Sequence, residues 1–365
     1  MSEQWQRAWQ PMIDAVGTDF GDGELREGPE PVEAGAVRRF AEPLEFGCPL
    51  HHDRELARRY GYRDIPAPVS SLITFTIPPV WSPGDAPVFT SSERDAQPAW
   101  TGSGPVRAKL APATRGGFAT DLAIDHLKPV VVGDRLAVKG NVLVSCVPKQ
   151  TSVGRGAFLT WESEIHDQRG ELVARRRTTG YSYEPGPARP SAGSPAPSQD
   201  HQPRPDAEPQ AGRPIAWDRQ LWWDDLAEGR PLPAVRFPLT VYRLVMAAGS
   251  NRDFHAIHHN TEWARSTGAP EMYANVLFLH GMWERCVREF IGLGGEIRGF
   301  SGFRMRSFNT VGDVVTVRGE VARVWEEADT GVAELRLWSE NRHGVSVGPG
   351  TVTVTLPRRP ARQAR

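Results

Sequence analysis

The chain has 365 residues, with 43 Lys and Arg against 44 Asp and Glu, and a formal net charge of −1. That balance offers no basic face for nucleic acid or an anionic membrane, and no uncharged apolar run approaches the ~18 residues needed to cross a bilayer. Cys48, Cys146 and Cys286 are odd in number and far apart, which fits neither a disulfide framework nor a paired-cysteine zinc motif, so a reducing cytoplasmic setting is expected.

The first segment, MSEQWQRAWQPMIDAVG, places Trp5, Trp9, Met12, Ile13 and Val16 on one helical stripe. It lacks the basic and apolar regions of a signal peptide, so it reads as a helix docked on a core. LEFGCPLHHD (44–53) follows, with paired histidines, then a short helix over Arg54–Tyr60 and an apolar segment broken at Ile77-Pro78-Pro79. Residues 82–105 are turn-rich and without periodicity. Alternating, β-branched stretches at 134–147, 156–167 and 171–183 read as strands, with Arg175-Arg176-Arg177 expected on an exposed strand edge.

From Glu184 to Pro214 the chain is rich in Pro, Ser, Gly and Ala and holds no aromatic residue, the composition of an extended linker. Beyond it comes NRDFHAIHHN (251–260), a short helix over Thr261–Ser266, and YANVLFLHGMWERCVREFIG (273–292). Val276, Leu279, Trp283, Val287 and Phe290 recur there at three- and four-residue spacing, so this segment predicts a buried helix. GLGGEIRG (292–299) reads as its C-terminal turn, not a dinucleotide fingerprint, because its glycines are misspaced and follow a helix. Strands are expected at 313–325, 331–341 and 344–356, and residues 357–365 form a basic tail.

The two sides of the linker repeat each other. VVVGDRLAVKGNVLV (130–144) matches NTVGDVVTVRGEVARV (309–324) at an offset of 179, and HHDRELARRYGYRDIPAPVS (51–70) matches HHNTEWARSTGAPEMYANVL (258–277) at 207. The difference of 28 assigns extra chain to the first half, with 82–105 as its candidate. The expected organisation is a unit over 1–183, a linker over 184–214 and a second unit over 215–356. Each unit predicts an antiparallel sheet wrapped around a helix, an α+β arrangement.

Candidate chemistry concentrates in NRDFHAIHHN. Asp253 alone could be a helix cap or a turn residue, and His258 alone a structural histidine. His255, His258 and His259 include a chelating spacing, but no further ligand stands at motif spacing. Arg304 and Arg306 precede the second VGD strand and read either as a solvated strand face or as phosphate contacts.

RDFHAIHHN (252–260) resembles the active-site signature G-D-x-N-P-(I/L)-H-x-D of the MaoC-like (R)-specific enoyl-CoA hydratases and 3-hydroxyacyl dehydratases. Its RDF-x-x-(I/V)-HH pattern is nearer the steroid-side-chain enoyl-CoA hydratases. Arg252 replaces the family's Gly, His255 its Asn, Ala256 its Pro and Asn260 its second Asp. The resemblance implies a tandem double hot-dog fold packed as a pseudo-dimer, with Asp253 and His258 as catalytic residues. It implies that Ala274-Asn275-Val276 stands for the family's Ala-His-Gly, so that the Val276 amide holds the thioester oxygen with Asn275 and His255 in support.

In the first copy Phe46 stands where Asp253 does, Cys48 where His255 does, and His51 where His258 does. Glu45 is one position off. That half is therefore expected to be non-catalytic and to shape the acyl pocket. No metal or redox cofactor is implied; coenzyme A or a carrier-protein pantetheine enters as part of an acyl thioester substrate, and a homodimer of pseudo-dimers is compatible with the fold. Two rival readings are a hot-dog acyl thioesterase and a non-catalytic acyl-binding partner subunit.

Overall fold

Alternation of apolar and polar residues, rich in Val, Thr and aromatics, sets six long strands where the sequence predicts them. The computed structural model describes residues 4–98, 110–186, 217 and 219–360. In the first half β3 is Ala137–Gln150, β4 Gly154–His166 and β5 Leu172–Pro185; in the second β8 is Val314–Glu327, β9 Thr330–Asn341 and β10 Gly344–Leu356. Four further strands complete the set: β1 (Leu25–Glu27), β2 (Gly116–His126), β6 (Val235–Pro238) and β7 (Glu296–Arg304).

All ten belong to one antiparallel sheet in the order β1-β3-β4-β5-β2-β7-β10-β9-β8-β6. The second five mirror the first five, and the halves join where β2 pairs with β7. Asp121 lies opposite Arg304, Leu122 opposite Phe303 and Ile124 opposite Phe300, so apolar pairs and one charge pair hold the seam.

The repeat becomes visible in the helices. The long helix Val276–Ile291 has 13 of its 16 residues buried. Such a segment is stable only when enclosed on every side. Its Trp283 is fully buried and donates from Nε1 to Ser339 Oγ at 2.8 Å. One apolar cluster runs from Val32, Leu44 and Leu72 of the first half through Phe278 and Trp283 to Leu335 and Val352 of the second.

In the first half the equivalent chain winds only over Val69–Thr76, as a 3-10 helix that stops at an extended Ile77. A residue before proline is pushed out of the helical region, and Pro78 and Pro79 remove two amide donors. The chain after the break crosses to the other half, where the Asp95 carboxylate accepts from Asn260 Nδ2 at 2.6 Å. Residues 99–105 of the expected insertion lie outside the described residues.

Three local expectations need correction. The N-terminal stripe folds as two short helices, Gln4–Arg7 and Gln10–Asp14; Trp9 and Met12 are buried against Leu143 and Leu159, but Val16 is exposed. The interruption coincides with Pro11, at the start of the second helix. The run Arg175-Arg176-Arg177 lies on β5, an interior strand and not an edge. There Arg175 meets Glu164, Arg177 meets Glu162 and Arg176 donates to Ser163 Oγ, so the charges form cross-strand pairs. The first short helix ends at Arg59, one residue early. Of the expected linker, Glu184 and Pro185 finish β5 and residues 187–214 lie outside the described residues, as do 361–365 of the tail.

Replacing Trp283 by Ala removes the largest buried side chain and strands the Ser339 hydroxyl. The expected cost is about 3–5 kcal/mol of folding stability, read as a lowered urea midpoint with little change in slope.

Candidate active site

A ten-residue helix, Val241–Ser250, carries the chain to the candidate loop. Arg252 then takes a left-handed conformation (φ 57°), which turns the backbone so that the Asp253 amide donates back to Ala248 at 2.9 Å. His255 caps a single 3-10 turn, Ala256–His258, and delivers His258 into the interior. His258 Nδ1 lies 2.8 Å from the Tyr273 carbonyl. A carbonyl only accepts, so Nδ1 carries the proton and Nε2 is the working nitrogen. His258 Nε2 stands 3.2 Å from Asp253 Oδ2, with the His side chain 8% and the Asp side chain 30% exposed.

Burial by itself would raise the Asp253 carboxyl. The hydrogen bond and charge of His258, the His255 charge and a backbone amide outweigh it and hold the carboxyl below its ordinary value. His255 is itself pushed down, by partial burial first and then by the charge of His258. The pair thus sets a depressed carboxyl beside an imidazole nitrogen not taken up by the backbone.

The long helix begins beside this pair. Asn275 caps it through Oδ1, which accepts from the Phe278 amide at 2.8 Å and from Asn251 Nδ2 at 3.0 Å. Asn251, two residues before Asp253 and almost fully buried, thereby ties the loop to the helix start. The cap leaves the Val276 amide at the positive end of the helix, free of the Asn275 side chain.

The first half supplies an internal comparison at the same register. Glu45 repeats the left-handed turn (φ 51°), the Phe46 amide donates to Ala41, and His51 Nδ1 lies 2.8 Å from the Pro66 carbonyl. In place of the carboxylate, the Phe46 ring meets the His51 ring edge-on at 5.0 Å. His51 Nε2 is buried with no partner among the described residues, and burial pushes the ring down to about 3. The Glu45 carboxylate turns away to Arg243, at 3.3 Å. The histidine and its carbonyl are therefore a requirement of the loop, and the acid is what distinguishes one copy from the other.

The remaining candidates fall elsewhere. Arg304 faces Asp121 across the seam, and the Arg306 guanidinium donates to the Gly348 carbonyl. His259 is exposed, with Nε2 3.2 Å from the Phe254 carbonyl. Sequence reading missed Asn251, the Tyr273 carbonyl, and contacts from the first half such as Arg252 donating to the Pro78 carbonyl at 3.2 Å. Backbone acceptors leave no trace in residue identity, and Asn251 resembles any loop asparagine.

Residues 15–176 match the family described as FAS1-like, dehydratase domain region. Over 159 residues the chain is 29% identical to a Thermomonospora curvata protein named as a probable enoyl-CoA hydratase alpha subunit, covering 42% of this chain and 46% of that protein. The chain thus spans about half the length of that curated relative. Among solved structures, a MaoC-like dehydratase superposes with a TM-score of 0.66 at 19% identity, covering 94% of this chain and 98% of the other. A Mycobacterium tuberculosis protein described as having a double hotdog fold gives 0.58 at 12% identity, with 93% and 96% covered. The fold is a double hot-dog, shared with MaoC-like dehydratases, and the first half of the chain is similar in sequence to a dehydratase region. The matched span 15–176 ends before Asp253 and His258, so their role rests on geometry.

A carboxyl depressed in the folded state adds stability that is complete above its unfolded value of about 4 and is lost as pH falls through the folded value. Asp253→Asn should therefore lower the urea midpoint at pH 7, and the gap to the unmodified protein should shrink at pH 3. An unchanged gap would remove the charged Asp253–His258 contact from the account.

Proposed function

We propose that the chain catalyses reversible hydration of a 2-enoyl thioester to the (R)-3-hydroxyacyl thioester. The observation that carries this is the Asp253–His258 pair at 3.2 Å in one half, against Phe46 and His51 in the other. Hydration adds one water: its oxygen bonds C3, one of its protons leaves, and C2 gains one. Asp253 and His258 Nε2 both accept from that water, place it, and pass the proton within one site. Negative charge grows on the thioester oxygen as C3 is attacked, and the Val276 amide, aided by the helix dipole, stabilises it. Asn275 holds the helix start in place, and His255 borders the pair.

On this reading the substrate carries its own coenzyme A or pantetheine arm and no redox cofactor or metal takes part. The first half is assigned to part of the acyl pocket, and Arg304 and Arg306, engaged with Asp121 and the Gly348 carbonyl, are left to the seam. The physiological direction could be either, and a homodimer of such chains is compatible with the reading.

Asp253→Asn and His258→Ala should each lower hydration of a 2-enoyl-CoA by about 10²- to 10⁴-fold, followed as loss of absorbance at the enoyl thioester band, while the far-ultraviolet dichroism stays unchanged. Full activity in both variants would sink the assignment. Release of free thiol without enoyl loss would mark a thioesterase instead. Tight binding of a CoA ester without turnover would mark an acyl-binding partner subunit.

A further inference from the structure

The long helix carries a buried carboxyl that neither core packing nor the Asp253–His258 pair explains. Glu284 is fully buried, on a helix otherwise lined with Leu279, Met282, Trp283 and Val287. Its Oε1 accepts from the Val69 amide at 2.8 Å, and its Oε2 accepts from the Ser70 amide at 2.7 Å and from the Ser70 hydroxyl. Burial raises the Glu284 carboxyl above its ordinary value, opposed by these donors and by the charge of Arg288, one turn further along and also buried.

The identity of these donors matters. Val69 precedes Val276 by 207 residues, the same register that relates Phe46 to Asp253 and His51 to His258. Val69 and Ser70 open the 3-10 helix Val69–Thr76, the first half's counterpart of the long helix. Their amides are therefore the first half's version of the donors assigned above to the thioester oxygen. Beside them lies a cavity of about 600 Å³ lined by Leu50, His51, Ala67, Val69, Glu284 and Arg288. Its size is that of a pocket for a small-molecule ligand.

Resting on the assignment of the Val276 amide to the thioester oxygen, we propose that Glu284 is a built-in occupant of the first half's oxyanion position. It keeps an acyl thioester from seating its carbonyl in the cavity beside His51. With both oxygens engaged by three donors, two of them backbone amides at a helix start, the Glu284 carboxyl fills the position more completely than a single thioester oxygen does. Being part of the same chain, it also competes at a high effective concentration. Phe46 removes the water-binding acid from this half, and Glu284 removes its carbonyl site.

The test counts ligand on the full chain. Equilibrium dialysis against butyryl-CoA, a saturated ester with no double bond to hydrate, should give one equivalent for the unmodified protein and two for Glu284→Ala. Glu284→Gln keeps the shape, but its single carbonyl oxygen cannot satisfy three donors, so a second and weaker equivalent is expected there too. A gain of one equivalent in a folded variant, from a starting count of none or one, supports the inference. No gain, or two equivalents already in the unmodified protein, overturns it. No binding by the unmodified protein counts against the hydratase reading of the second half and is thereby distinguished from failure of the Glu284 assignment.

Discussion

The structure is organised by the need to enclose one helix. Val276–Ile291 is buried around nearly its whole circumference, and no single sheet face can cover it. The second-half strands take one side; Leu44 and Leu72 of the first half belong to the same cluster and close another. Gly281 shows how close that approach is, because a Cβ there would stand 2.6 Å from Leu44 Cδ1. Enclosure fixes where the helix starts, and the helix start fixes where the Val276 amide and the Asn275 cap meet the His258 loop.

Enclosure also requires the two halves to exchange polar groups. Arg243 of the second half donates to the Pro43 carbonyl at 2.6 Å, Glu284 accepts from the Val69 and Ser70 amides, and Asp95 accepts from Asn260. The Glu284 contacts satisfy a carboxyl that the interface would otherwise bury unpaired, while Asp95 and Asn260 meet at its partly exposed margin. The seam is therefore apolar between β2 and β7 except for Asp121 opposite Arg304, and polar around the loops.

Much of this was legible in the residues. The six long strands, the helix over 273–292 and both histidine loops fell within a few residues of their predicted places, because alternation, helical spacing and turn glycines act locally. The repeat gave the pairing of the two loops, and Phe46 does stand against His51 as Asp253 does against His258. The strands that join the halves were not legible. Phe118, Leu122 and Ile124 of β2 alternate weakly, and a glycine-spaced β7 resembles a loop. The arginine run was misplaced because its acidic partners, Glu162 and Glu164, sit on another strand and charge alone resembles an edge. Glu284 was invisible for the same reason. Within the sequence it is one acid on an amphipathic segment, and its partners lie 214 and 215 residues away.

The mirrored order of the ten strands has a consequence for how such a protein can change. In a dimer of identical chains every substitution appears in both sites, so an acid lost from one is lost from both. Here the two copies share a sheet but not a codon. Phe46 could replace the acid without disturbing Asp253, and a carboxylate could settle on the Val69 amides without doing so at Val276. Joining the copies in one chain separates the inheritance of two positions that the fold treats as equivalent, and leaves one free to specialise while the other keeps the shape.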